Sequence, residues 1–144
     1  MRILAVDPGG RRVGLAICDG LGLTVRPLMT IDRKKSRDFL GQIVGLVQKE
    51  SVERVLVGVP VQAEGHLGPA AQRSLRIIDR LKERLEEAKL AMDVVGVDES
   101  FTSTEAHSRL RERGIPTAEH RTIIDQEAAA VLLEGYLRDQ GAGH

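Results

Sequence analysis

The chain has 144 residues and a mass of 15.7 kDa, the size of a single domain whose core is large enough to need no covalent staples. Hydrophobic residues at 42% and charged ones at 29% exclude a disordered or fibrous chain; a single cysteine, Cys18, excludes an internal disulfide and, with four scattered histidines, the usual zinc clusters. Net charge is zero, with 21 basic and 21 acidic residues, which argues against a histone-like binder, although residues 1–37 carry eight Lys/Arg against three Asp, a local +5.

No apolar run approaches the length of a membrane span, and Asp7 interrupts the N-terminal one, so neither a span nor a signal peptide is expected. A reduced, cytoplasmic location follows from the cysteine usage. Only Phe39, Phe101 and Tyr136 are aromatic, too few for base-stacking platforms, so a nucleic-acid partner would be held by its backbone and shape.

Ile3 to Val6, closed by Asp7-Pro8-Gly9-Gly10, reads as a buried strand ending in a tight turn, and Val13 to Cys18 as its hairpin partner. A third strand is predicted around Thr24 to Ile31, with Pro27 marking an edge or a bend. The basic cluster from Arg33 to Arg37 leads into a helix over about 36–50 with Phe39, Leu40, Ile43, Val44 and Val47 on one face. Val55 to Val59 is a fourth strand stopped by Pro60; the segment from Gln62 to Gly68 is a loop, and Pro69 suits a helix start. Ala71, Leu75, Ile78, Leu81 and Leu85 then form an apolar helical stripe. Asp93 to Val97 is the fifth strand, Thr102-Ser103-Thr104-Glu105 has capping-box spacing for a helix through about Arg113, and a last helix runs from about Asp125 to Leu137. The order implies one α/β domain over residues 1–139, a central five-stranded mixed sheet flanked by helices, with a short flexible tail over 140–144.

Ligands of α/β sheets gather at strand ends. Asp7 lies at the end of the first strand, Glu99 just past the fifth behind Asp98, and Asp125 at the opening of the last helix. Facing one another they would form a set of hard oxygen ligands suited to Mg²⁺ or Mn²⁺. Two such ions could activate a water and stabilise the leaving oxygen at a phosphodiester. Each residue also has a purely structural reading. Asp7 suits a turn, Asp98 and Glu99 favour a helix N-terminus, Asp125 is placed as an N-cap, and the 33–37 cluster reads as a solvated turn. His107 and His120 have no carboxylate or cysteine at useful spacing and are expected at the surface. Residues 9–14 carry arginine where the middle glycine of G-x-G-x-x-G belongs, and no phosphate-binding loop with G-K-[ST] exists.

Four blocks in order resemble the YqgF family of RNase H-like proteins, relatives of RuvC-type Holliday-junction resolvases that are also assigned to maturation of the 16S rRNA 5′ end. They are Asp7 to Ala16, like D-x-G-x-x-R-x-G-x-A; Val57 to Gly65, like V-G-L-P-L-N-x-x-G; Asp98 to Ser103, like D-E-R-[LF]-[TS]-[TS]; and Ile124-Asp125 with Ala128-Ala129 and Tyr136-Leu137. The resemblance implies an RNase H-like fold in which Asp7, Glu99 and Asp125 are the catalytic, metal-binding acids, with Arg12, Gln62, Gly65 and Thr102 on the substrate side. Ser100 stands where the family usually has arginine and Gln62 where it has asparagine; serine cannot make arginine's charged bidentate contact.

The expected function is a nuclease dependent on Mg²⁺ or Mn²⁺, with two ions, acting on structured nucleic acid, above all the rRNA precursor. A four-way DNA junction is the alternative substrate, which would require a symmetric dimer; the chain itself is expected to be a monomer or homodimer. The rival of another class is a non-catalytic RNA- or protein-binding module, with Ser100 as its support. An actin-like nucleotide hydrolase would need a second domain for which this chain has no room.

Overall fold

Alternation along the N-terminal apolar run sends successive side chains to opposite sides, and both sides are buried. Leu4 and Val6 join one core cluster, Ile3 and Ala5 the other. The computed structural model describes residues 1–61, 67–99 and 102–142, with the backbone alone for Thr102, Ser103, Thr122, Gly141 and Ala142. Strands β1 (Ile3–Pro8), β2 (Arg12–Cys18), β3 (Val25–Asp32), β4 (Arg54–Val59) and β5 (Asp93–Asp98) form one sheet in the order β3-β2-β1-β4-β5. The β1–β2 and β2–β3 pairs are antiparallel, and the β1–β4 and β4–β5 pairs are parallel. The mixed sheet expected from the element order is therefore present. β3 is an edge strand, as Pro27 predicts, and its register against β2 shifts between Leu15 and Ala16, beside that proline.

Helices α1 (Phe39–Lys49) and α2 (Pro69–Glu87) cover one face, packing Leu40, Ile43, Val47, Ala71, Ile78, Leu81 and Leu85 onto the valines of β4. Helices α3 (Thr102–Glu112) and α4 (Ile124–Ala142) lie on the other side of the sheet, where Ala129, Ala130, Leu132 and Leu133 of α4 bury against Ile3, Ala5, Ala16 and Leu56. Small residues on α4 let its axis approach the sheet closely. Among the described residues, no helix is long and apolar enough to cross a membrane.

Several boundaries and one helix face differ from expectation. The first helix begins at Phe39 rather than near 36, because the Asp38 side chain accepts from the Gly41 N–H and caps it there. On α2 the buried stripe contains Ser74 and Ile77, whereas Leu75 is 38% exposed. Pairs at spacings of three and four fit more than one stripe, and packing on β4 and β5 selects this one. The last helix runs to Ala142, so residues 140–142, expected in a flexible tail, are helical. Asp125 is the second residue of α4 and not its cap.

His120 is also misplaced by the sequence. It is buried, 1% exposed, because Gly114 turns the chain at φ 78° and the 3-10 segment Thr117–Thr122 folds back over α3. Its ring stacks on His107 with centroids 4.8 Å apart. His120 Nε2 meets the Ile115 carbonyl at 3.0 Å, so that nitrogen carries the proton, and His107 Nδ1–H donates to the bare Nδ1 of His120.

Candidate active site

Strand parity collects the site. Asp7 shares the α4-facing side of β1 with Ile3 and Ala5, at the strand's C-terminal end. Its partner across the hairpin is Gly14. On the other side, Gly58 of β4 lies one residue beyond the Val6–Val57 pair. Asp7 thus sits between two positions without side chains, and both clearances are used. A methyl group on Gly14 would overlap the backbone carbonyl of Asp125, and one on Gly58 would lie 2.6 Å from Glu99 Oε2. The two glycines are the cradles through which α4 and Glu99 reach the buried aspartate.

Glu99 follows β5, its backbone N–H donating to the Val59 carbonyl at 3.2 Å. The Asp7 and Glu99 carboxyl groups are hydrogen-bonded to each other. Two ionised carboxylates cannot share such a bond, so one carries a proton. Burial raises both groups; the shared bond and the charges of Asp7 and Asp98 raise Glu99 further, while the same bond lowers Asp7. The pair titrates as a unit with one shared proton, and Glu99 is the member driven more strongly to hold it.

Asp125 enters from the first turn of α4. Burial raises its pKa, the Arg12 guanidinium opposes that, and the charge of Asp7 adds to it. Arg12 Nε lies 3.1 Å from Asp125 Oδ2, yet this buried oxygen has no aligned hydrogen-bond donor. Thr30 Oγ1 donates to Gln126 Oε1 at 3.3 Å and ties the same turn to β3.

The three acids expected to act together are therefore brought to one end of the sheet, as two linked pairs: Glu99 on Asp7, and Arg12 on Asp125. Among the described residues, no three carboxylates, histidines or cysteines converge into a ready-made ion cage. The donors nonetheless fit a divalent cation. All are hard oxygens, Asp7 is 8% exposed, and Asp125 Oδ2 is an orphaned buried acceptor. An ion would take up the electron pair that a proton holds on the Asp7–Glu99 pair and the one that Asp125 Oδ2 leaves unused.

Beside the acids is a cleft of about 250 Å³ lined by the Gly9–Arg12 turn, Asp32, Arg121 and Asp125. Gly9 N–H donates to the Arg12 carbonyl at 2.8 Å and tightens that turn. Arg11 grips Asp32 through Nε and Nη2 at 3.0–3.2 Å, which holds the Asp32 carboxyl down at about 2. Arg121 is exposed on the 3-10 segment one turn before Asp125, and no ion pair is formed by it among the described residues. With Arg11 paired to Asp32 and Arg12 to Asp125, the Arg121 guanidinium is the one on this polar cleft left to meet a phosphate. Sequence reading reached Arg12 alone; Arg121 has no motif around it, and its role depends on the fold-back that also buries His120.

Of the expected substrate-side residues, Arg12 lines this cleft. Gln62 and Gly65, like Ser100, lie outside the described residues, and the backbone of Thr102 opens α3.

The sequence model of a family described as "RuvX: Holliday junction resolvase" matches residues 1–139. A protein of Syntrophus aciditrophicus named "Putative pre-16S rRNA nuclease" is 38% identical over 137 residues, 95% of this chain and 88% of that protein. One of the same name from Halothermothrix orenii is 37% identical over 144 residues, 100% and 99% of the two chains. Among solved structures, the fowlpox virus resolvase bound to Holliday junction DNA superposes with a TM-score of 0.62 at 15% identity, over 97% of this chain and 99% of that one. That likeness concerns the fold: a resolvase-type, RNase H-like sheet.

Proposed function

Since the chain belongs to the RuvX family of nucleases, the YqgF proteins that its four motifs resemble, we propose that it is a cytoplasmic, divalent-metal-dependent nuclease that trims the 5′ end of 16S rRNA precursor. The observation that carries the proposal is the desolvated Asp7–Glu99 carboxyl pair with Asp125 beside it. Burying three acids together costs stability, and a module that only bound RNA or protein would gain nothing from it. A divalent metal accords with the nucleases of this family; Mg²⁺ or Mn²⁺, two ions held by Asp7, Glu99 and Asp125, suits the oxygen donors.

Bound there, such ions would lower the pKa of a water and neutralise charge on the departing oxygen. The chain's own groups do the rest. Asp7, fixed between Gly14 and Gly58, would offer its carboxyl oxygens to an ion there. To act as a ligand Glu99 would give up the proton that it shares with Asp7, so metal uptake would release protons. Arg12 holds Asp125 in place, and with an ion bound by that carboxylate it would be available to a phosphate beside Arg121.

The description of the family favours a second substrate, the four-way DNA junction, which a monomer could bind but not resolve symmetrically. Labelled 16S precursor RNA, single-stranded RNA, duplex DNA and a four-way junction, each incubated with Mg²⁺, Mn²⁺ or EDTA, separate the readings. The precursor should be cut only with metal, and Asp7→Asn should lose about 10³-fold in rate, roughly 4 kcal/mol of barrier. Preferred cutting of the junction selects the second substrate. No cutting of anything by folded protein sinks the nuclease.

A further inference from the structure

A second basic surface lies apart from the cleft beside the acids. Arg33, at the end of β3, sits with its guanidinium carbon 4.5 Å above the centre of the Phe39 ring. It lines a shallow groove of about 130 Å³ with Phe39, Arg73, Arg76, Ile77 and Arg80. The arginines of α2 recur at i, i+3 and i+7 and so form one stripe. None of the four arginines is in an ion pair among the described residues, whereas neighbouring Arg84 is committed to Asp38 through two bonds of 2.9 and 2.6 Å. That bridge fastens the start of α1 to α2 and fixes the groove's two walls together.

The start of α2 carries the charge that a helix itself disfavours. Acidic residues stabilise a helix N-terminus and basic ones its C-terminus. Helix α2 has no acid in its first turn and carries Arg73 and Arg76 in its N-terminal half, where no acid stands; beyond them Arg80, Lys82 and Arg84 alternate with Asp79, Glu83, Glu86 and Glu87. Arg76 and Arg80 are also a like-charged i, i+4 pair, which costs a few tenths of a kcal/mol. A polyanion lying along the Arg73–Arg76–Arg80 stripe would relieve both penalties at once. The groove opens at the same end of the sheet as Asp7, because β3 ends there and α2 begins just after β4.

We infer that Arg33, Arg73, Arg76 and Arg80 form a second phosphate-backbone site, which grips the paired stem of a folded RNA while the acids address a bond elsewhere on it. The inference rests on the nucleic-acid reading above and extends it to a surface outside the acidic site. Few aromatics are available to stack on bases, so the grip reads backbone geometry and not sequence. The expected span is a stem reaching from the α2 groove to the Arg11–Arg12–Arg121 cleft.

The test compares the parent with Arg73→Gln/Arg76→Gln/Arg80→Gln, and with a charge-matched control at the opposite end, Arg26→Gln/Lys49→Gln/Lys89→Gln. Binding of a fully paired RNA hairpin is measured in EDTA over a range of KCl, with duplex DNA alongside. The arginine variant should weaken binding and flatten the slope of log K against log salt by about one per arginine, while the control keeps the parental slope. Its metal-dependent hydrolysis of bis(p-nitrophenyl) phosphate, too small to reach the groove, should be unchanged. A parental slope in the folded arginine variant overturns the site, as does a parent that binds no RNA at low salt. A slope change on DNA alone overturns the RNA assignment. If the slope falls as expected but the parent cuts nothing, the groove stands and the nuclease reading fails.

Discussion

At the scale of single residues, the protonation of Glu99 has a measurable consequence. Its pKa stands at about 10 in the fold against 4.5 in the open chain. The folded state therefore holds a proton that the unfolded state releases as pH rises through 4.5. Stability from this group is complete below that value and drains away as pH climbs toward the folded pKa. Glu99→Gln keeps the shape, and its amide can still donate to Asp7. In metal-free buffer the urea midpoint of the parent should fall between about pH 5 and 9, and that of the variant should fall less, by what the buried Asp7 and Asp125 still contribute. Parallel declines would show that the proton is not on Glu99. Of these residues, resemblance pointed to Asp7, Glu99 and Asp125 individually, and to Arg12. That Glu99 pairs with Asp7, and Arg12 with Asp125, is a matter of contacts across 92 and 113 positions of chain, which no local spacing encodes.

At the scale of elements, the hairpin glycines separate what a turn needs from what docking needs. Gly10 has nothing within 4 Å of where a methyl group would go, whereas Gly14 is filled by the start of α4. Gly14→Ala must push the Asp125 backbone away from the sheet, an overpacking that should cost about 1–3 kcal/mol and take Asp125 out of reach of Asp7. Gly10→Ala should be neutral or slightly stabilising. Urea unfolding and cleavage rate check both, and equal effects at the two positions would refute the docking role. The hairpin was legible because its apolar runs bracket a turn sequence. The docking was not, since glycine there signals a bend as readily as a close approach. The α2 stripe shows the same gap: its period is visible in the sequence, but its phase is set by which residues meet β4.

At the scale of the whole molecule, all of this chemistry stands at one end of the sheet, and the metal should report on it globally. A ligand that binds only the folded state stabilises by RT ln(1 + [M]/Kd), about 2.7 kcal/mol at a hundredfold excess over Kd, which for a domain of this size is several degrees in Tm. Mn²⁺ should raise the Tm of the parent by that amount and leave Asp125→Asn unmoved, while the two differ little in EDTA because burial and Asp7 already work against the Asp125 charge. Equal stabilisation of both by Mn²⁺ would remove Asp125 from the ligands.

Local patterning by itself determined the order and type of the elements, because apolar period and turn chemistry act over a few residues. Placement at strand and helix ends singled out the three acids, and motif resemblance gave them their expected role and the fold family. Only the tertiary structure decided that Asp7 and Glu99 share a proton, which arginines are spent on partners and which are left for phosphate, and that His120 is buried against His107. Those outcomes depend on desolvation and on distances between groups far apart in the chain, and both exist only once the helices are seated on the sheet.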